Sequence, residues 1–533
     1  MDARKDRRVD DNSLDLLSET GLKPQRVAVS PHGMIAAQHF LATEAGAKIL
    51  KKGGNAVDAA VTAALALGVC EPAASGLGGQ TFMLIYDSKN RKTIALDGSS
   101  RAPHRAIPGS ISPEECRRGY KASTVPSTPG TLGYALERYG TVEWKTAIQP
   151  AIRLAEDGYE ISELQRRLTK KVRKILKEQG GGQFFLKDNR KTYRVGERFR
   201  QPVLAQTLIR LKKKGVDDFF HGRIARHIHR DMVRNGGLIR RDDLAQMMGP
   251  IERKPVSCRF GDKRVVTFPP PGAGRTLIEM LNIISHFPVK RRNFDTPEGA
   301  VLLAGVIRQA FRDRRDRPYD PSFYAQVSDR KMTSLDYAAE IARRVKSGGD
   351  TTHLSVMDKY GNAVALTQSI ERVYGSCAAA PELGFLYNNY MTEFEYEDIK
   401  HPYYMRPSAV PWASVAPTIV FSDRKPWLAI GSPGSERITS SIFQVLLRLN
   451  RQSAFQAVDA PRLHCSLDGK VSIEASRMRD DIPAALENRG FEVDFRNPYS
   501  FYLGSVQLVM RDGDQFIGVA DPRRDGSAKG PTA

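Results

Sequence analysis

Two kinds of hydrophobic spacing run along this chain, and they divide it. "THLSVMD" and "NAVALTQ" place apolar side chains at every second position, the period of a half-buried strand. "MDKYGN" joins them with a tight turn over residues 358–362, where Gly361 is free to take positive φ. "TFMLIYDSKNRKTIALDG" likewise reads as strand, turn and strand, and "RKPVSCRFGDKRVVTFPPPGAG" is strand-like. "TEAGAKILKKGGNAVDAAVTAALALGV" has helical spacing instead. One helix stops at Gly53 and Gly54; a second starts at Asn55, an N-cap with Asp58 three residues on. The second helix is Ala, Val and Leu on nearly every face, which predicts burial on most sides. Further helices are predicted after "STPG", over "WKTAIQPAIRLAEDG", "RTLIEMLNIISHF", "ITSSIFQVLLRLN" and "RDDIPAALENRG", and through most of the basic stretch 164–248. Strand pairs lie at both ends with helices between, and no βαβ rhythm links them. The fold class this predicts is α+β, antiparallel sheets covered by helices.

Composition narrows the picture. The 533 residues are 41% hydrophobic and 26% charged, an ordinary globular balance with enough chain for a large core. Five scattered cysteines without a CxxC pair argue against a disulfide framework or a zinc site. The polar start "MDARKDRRVDDNSLDLLSETG" has no apolar core for a secretory signal. "AAVTAALALGVC" is too short for a bilayer, which takes about 20 residues. The expectation is a cytoplasmic protein without a membrane partner. The formal net charge of +21 includes basic clusters at residues 166–177, 187–200 and 308–317. No recognition motif for nucleic acid accompanies them. They read as solvated helix faces or as steering of an acidic substrate rather than a nucleic-acid groove.

The stretch "SGGDTTHLSVMDKYGNAVALTQS" carries more than a hairpin needs. A threonine hydroxyl is a weak nucleophile without a base beside it. A cut between Asp350 and Thr351 gives Thr351 a free α-amino group, whose pKa of about 7.7–8.0 suits it to serve as that base. The glycines let the uncut loop bend, so that the Thr351 hydroxyl attacks the Asp350 carbonyl. An N-to-O acyl shift and ester hydrolysis complete the cut. Two β-branched residues simply opening a strand are the plainer alternative.

The wider text resembles the gamma-glutamyltranspeptidase family of N-terminal-nucleophile hydrolases. "GGDTTHLSVMDKYGNAVALTQS" is similar to its autoprocessing site. "GGNAVDAAVTAALALGVCEPAASGLGG", "STPGTLG", "FPPPGAG", "FLYNNYMTEF", "APTIV", "GSPGSER", "AVDAPRLH" and "GVADPRRDGSA" follow in the family's order. The resemblance implies an αββα four-layer sandwich and a self-cleaving precursor. Residues 1–25 form a frayed N-terminus, 26–350 a large chain and 351–533 a small one, the two remaining associated. It implies Thr351 as nucleophile and Ser369 as the hydroxyl that bonds it. The N–H groups of Gly434 and Ser435 form the oxyanion hole, where the family usually has two glycines. His353 is read as structural.

The departures cluster where a glutamyl group is gripped. Ser99 stands where the family has a carboxylate-binding arginine, and Arg101, two residues on, is either its substitute or a surface arginine. Glu371 replaces an Asn and Tyr390 a Gln or Glu. Glu393 keeps an acid for the substrate's ammonium, and Ser414 remains of a serine pair beside Ala413. The resulting expectation is an amidohydrolase that passes an acyl group, by family gamma-glutamyl, from Thr351 to water or an amine. A glutathione-like amide is the default substrate. A different acyl group, as for relatives acting on oxamate or cephalosporin side chains, is the alternative, and an uncut scaffold or polyanion binder the third reading. No cofactor and no metal are expected.

Overall fold

The structure is a computed structural model that describes residues 25–247, 249–288, 292–316 and 351–532. The frayed start assigned to residues 1–25 lies outside it except for Gln25, whose carbonyl accepts the Ala528 N–H at 2.8 Å. The leader through Asp350, and with it the bond proposed for cleavage, also lies outside the described residues.

The strands are β1 (Val27–Ser30), β2 (Gly33–Ala37), β3 (Gln80–Asp87), β4 (Lys92–Gly98), β5 (Tyr159–Glu160), β6 (Arg198–Phe199), β7 (Ile251–Arg253), β8 (Val256–Phe260), β9 (Lys263–Thr267) and β10 (Thr352–Asp358). There follow β11 (Ala363–Ser369), β12 (Thr418–Ser422), β13 (Lys425–Gly431), β14 (Leu463–Cys465), β15 (Lys470–Ile473), β16 (Glu492–Phe495), β17 (Gln507–Asp512), β18 (Gln515–Ala520) and β19 (Ser527–Lys529). Two seven-stranded antiparallel sheets dominate. One runs β1-β18-β17-β13-β12-β9-β8 and the other β19-β2-β10-β11-β3-β4-β7. Each takes strands from both sides of the predicted cut, so neither part completes a sheet alone.

Three apolar layers hold the sheets. Between them lie small side chains, Ala36, Ala95, Ala363, Ala365 and Ala429 among them. These let the sheets approach, and Phe82 with Phe268 and Tyr86 with Phe421 cross the gap edge-on at 5.4 and 5.1 Å. Helices Phe40–Lys51 and Ala56–Cys70 contribute to the core outside the second sheet. Helices Gly274–Ser285, Pro297–Asp316 and Arg437–Arg448 contribute to the core outside the first. The result is the αββα sandwich.

Local chemistry explains the junctions that matter. Asn55 caps the Ala56–Cys70 helix through a capping box with Asp58. Gly361 takes φ +90° in the β10–β11 turn. The Asp358 carboxylate in that turn also accepts the Ala56 N–H at 2.8 Å, which ties hairpin to helix. The long pattern "WKTAIQPAIRLAEDG" breaks into Trp144–Ala147 and Gln149–Asp157, since Pro150 lacks the N–H needed to continue one helix through it. One βαβ unit does occur. β15 and β16 pair in parallel across the helix Ile482–Glu487, but four-residue strands leave too little alternation to read. Among the described residues no helix is long and apolar enough to cross a membrane.

Candidate active site

β10 pairs with β11 so that Thr352 faces Gln368. One step further along this register sets Thr351 across from Ser369. Both are buried. Alternation sends Thr351 and His353 to the face that meets the other sheet, while Thr352 points to the helical side. There the Thr352 hydroxyl donates to Glu71 Oε2 at 2.6 Å, and Arg524 donates to Glu71 Oε1 at 3.3 Å. Burial raises the Glu71 pKa against the pull of Arg524 and Thr352. The first residues of β10 are therefore pinned by a buried polar chain.

His353 pairs through Nδ1 with Thr367 Oγ1 at 2.9 Å and through Nε2 with Ser355 Oγ at 3.1 Å. Burial pushes its pKa down to about 3, so the ring is neutral at ordinary pH. Its edge fills the space over Gly431, where an added Cβ would lie 2.1 Å from Cε1. This contact brings the start of β10 against the end of β13.

From Gly431 the chain turns through residues 432–436 into the helix Arg437–Arg448. Gly434 has φ +121° and Ser435 φ +49°. A Cβ on Gly434 would meet the Gly504 backbone at 3.1 Å. The Gly434 and Ser435 carbonyls accept the Arg437 and Ile438 N–H groups, each at 3.0 Å, and so face into the first helical turn. The Gly434 N–H has no backbone acceptor among the described residues. A donor of this kind, at the positive end of a helix, suits a developing oxyanion. Ser435 takes the left-handed conformation that glycine adopts freely, at a steric cost glycine does not carry.

Beside this row opens a cleft of about 970 Å³, whose lining includes Glu371, Glu393, Ser414, Trp412, Arg372 and Arg314. The Glu371 N–H donates to Ser369 Oγ at 2.8 Å, which joins cleft to row. The Glu371 and Glu393 carboxyl groups are hydrogen-bonded to each other. Burial raises the Glu393 pKa, while Glu371, Arg372, Thr392 and Arg314 act against it. A hydrogen bond between two carboxyl groups needs a proton on one of them, so the pair shares one proton and carries about one negative charge. Tyr390 is buried behind it with its hydroxyl beside Ser369 and Gln80; burial and then Glu371 raise its pKa well above the phenolic range.

Arg101 does not join this cleft. It donates to the Ser408 carbonyl at 3.3 Å and lines a separate pocket of about 300 Å³ with Asp97, His104 and Asp243. The irregular bridge from Arg101 to Val125 takes it out of the β4 strand, so the same-face spacing from Ser99 does not apply. The Ser99 hydroxyl donates to Asp97. The guanidinium bonded to Ser414 in the cleft is that of Arg314. It donates to Ser414 Oγ at 3.2 Å and to the Ala413 carbonyl at 2.8 Å, and lies 4.8 Å over the Trp412 ring. Burial lowers its pKa, and Glu436, Tyr403 and Glu393 oppose that. Sequence reading placed Arg314 only in a basic run. The one signal for it was position, near the end of an amphipathic helix, and that does not tell a buried arginine from its exposed neighbours.

The family model for Gamma-glutamyltranspeptidase matches residues 42–530. The chain is 32% identical over 534 residues to the glutathione hydrolase proenzyme of Escherichia coli (strain K12), covering 92% of this chain and 90% of that protein. It is 30% identical to the Acylase ACY 1 proenzyme of Pseudomonas sp. (strain SE83), covering 94% of each. The cephalosporin acylase of Bacillus halodurans has the same fold at a TM-score of 0.87 and 26% identity, over 100% of this chain and 99% of that one. With its two-sheet frame and the ordered motifs of its hairpin and loop, the chain belongs to the gamma-glutamyltranspeptidase family and is an enzyme of that type.

Proposed function

We propose that the precursor cuts itself before Thr351 and that the new N-terminal threonine carries an acyl group between amides and water or an amine. The Thr351 amino group takes the hydroxyl proton, the hydroxyl attacks the acyl carbonyl, and Ser369 orients the nucleophile from the facing strand. The N–H groups of Gly434 and Ser435 hold the oxyanion. The same amino group then returns the proton to the leaving amine.

The acyl head on this reading is gamma-glutamyl, bearing both an ammonium and a carboxylate. One observation carries it: a carboxyl pair and a half-buried guanidinium lie in one cleft joined to Ser369. Glu393 with Glu371 receives the ammonium, and Arg314 with Ser414 the carboxylate. A second reading, a different acyl chain, is favoured by Ser99 in place of the carboxylate-binding arginine and by the likeness to the cephalosporin acylase.

Intact mass spectrometry of the wild type and Thr351→Ala tests the first step. Two chains, the smaller running from Thr351 to Ala533, are expected in the wild type and one in the variant. An uncut wild type removes the base and the mechanism with it. Gamma-glutamyl, glutaryl and 4-aminobutyryl p-nitroanilides then test the head. A preference for gamma-glutamyl is expected, and a preference for glutaryl moves the assignment to the second reading.

A further inference from the structure

We infer that the cleft receives the amine side of the scissile amide as an acidic peptide, an amine carrying several carboxylates; this rests on the amide chemistry proposed at Thr351. The cleft lining holds eight arginine and lysine side chains against three glutamates. Two of those glutamates, Glu371 and Glu393, are bonded to each other next to Ser369, and the third, Glu436, follows Ser435 and acts on Arg314, so the acidic side chains stand beside the row. The positive character lies along the rest.

Two parts of the lining supply it. Tyr502 is gripped between the guanidinium groups of Arg437 and Arg496, at 4.3 and 4.1 Å from its ring. Glu474, which accepts the Ser500 N–H at 2.8 Å, holds this segment onto the buried Arg523–Asp521–Arg462 ion cluster. That wall is pre-organised. On the helix Glu163–Glu178, Arg167 and Lys171 also line the cleft. They are exposed, one turn apart, and pair with no carboxylate among the described residues. Like charges at that spacing weaken a helix. The fold gains nothing from them, whereas a peptide carboxylate entering the cleft gains two partners. The volume of about 970 Å³ suits a short peptide. In transfer, the peptide's amine forms the new C–N bond as the ester C–Oγ bond at Thr351 breaks. The amine's proton returns to Oγ through the Thr351 amino group. Hydrolysis of an acidic amide runs the first half in reverse, so one site serves both directions.

Calorimetric titration of the mature enzyme with free tri-glutamate and free triglycine tests this without requiring turnover. At low salt, tri-glutamate is expected to bind about tenfold more tightly or better, with the advantage shrinking as salt rises. Arg167→Glu/Lys171→Glu is expected to erase the preference. Arg226→Glu/Arg230→Glu, the same charge change on the remote helix Arg223–Arg234, is expected to keep it. Equal loss in both variants reduces the effect to net charge and overturns the inference. So does tripolyphosphate displacing tri-glutamate at lower concentration than a carboxylate peptide does, since the cleft then selects phosphate. Loss of p-nitroanilide turnover with tri-glutamate binding intact strikes the proposed function alone.

Discussion

The reaction row and the cleft beside it are built by different means. Thr351, His353 and Ser369 stand on or at the ends of two adjacent strands, and the pairing of Thr352 with Gln368 dictates how they face. The cleft draws Arg314 from a helix end, Glu371 from a turn after β11, Glu393 from a short 3-10 helix, and Trp412 with Ser414 from an extended run before β12. Backbone hydrogen bonds fix the row whatever its neighbours are. The cleft is fixed by side chains meeting from distant segments, so single substitutions re-aim it without disturbing the row. A fold of this design keeps one reaction and varies its substrates.

The sharpest way to break this division is Gly431→Ala, which strikes the row through its contact with the other sheet. The new Cβ at 2.1 Å from His353 Cε1 forces the ring or the strand to move. Overpacking of this kind destabilises by about 1–3 kcal/mol, and a misplacement near 1 Å at the reacting atoms slows chemistry about 100-fold. Precursor cleavage followed on gels is expected to slow by that factor. Trp412→Ala, in the cleft, is expected to cut at close to the wild-type rate. Equal slowing in both would show that row and cleft are one unit.

How much of this was legible follows the same line. Strict alternation around "MDKYGN" predicts the hairpin, because strand period and turn chemistry are local. Asn55 and Asp58 announce their helix start for the same reason. Ser369 as the partner of Thr351 came from the family resemblance, and the strand register sets the two across from each other. For Arg101 the sequence left a substitute and a surface arginine open, because a two-residue step keeps a face only while the strand continues; β4 ends at Gly98, and Arg101 lines a separate pocket. Arg314 was missed because its partners, Ser414 and Ala413, are about a hundred residues away. The carboxyl group of Glu371 was readable but the proton it shares with Glu393 was not, since that depends on the two side chains meeting.

Arg314→Gln should strike the cleft and spare the row. If this half-buried charge meets the substrate carboxylate as proposed, its removal lowers kcat/KM by about 2–3 kcal/mol, roughly 30- to 150-fold. The loss is expected for gamma-glutamyl p-nitroanilide and not for the 4-aminobutyryl compound, which has no carboxylate. Loss on both would place Arg314 in the frame rather than in recognition.

The carboxyl pair predicts a pH signature of smaller size. If Glu393 binds the ammonium when ionised, as proposed, kcat/KM holds above its pKa and falls as pH drops through it. Burial sets that pKa above the ordinary carboxylate range, and the Glu371 hydrogen bond restrains it. Glu371→Gln retains a donor and is expected to leave the acid limb in place. Glu371→Ala removes the donor and should move the limb to higher pH, costing about tenfold in kcat/KM on the acid side for each unit moved. A limb that moves to lower pH in Glu371→Ala would mean that Glu371 holds the charge and Glu393 the proton.

Ser435 is where the two building principles meet, and the smallest effect tests it. Its backbone belongs to the row as a proposed oxyanion donor, whereas its side chain is a departure of the kind found in the cleft. At φ +49° a left-handed serine is strained by about 1–2 kcal/mol. Ser435→Gly relieves that strain but adds freedom to the unfolded chain worth about 0.4–1 kcal/mol. A net gain within about 1 kcal/mol is expected from thermal unfolding. Ser435→Ala keeps the strain and removes only the hydroxyl. Both variants retain the N–H, so kcat for each is expected within about threefold of wild type, far from the 10²–10³-fold loss of a missing oxyanion donor. A drop of that size in both variants, with precursor cleavage intact, would assign the role to the hydroxyl. The loop would then belong with the cleft, and the division between a backbone-built row and a side-chain-built cleft would run between Gly434 and Ser435.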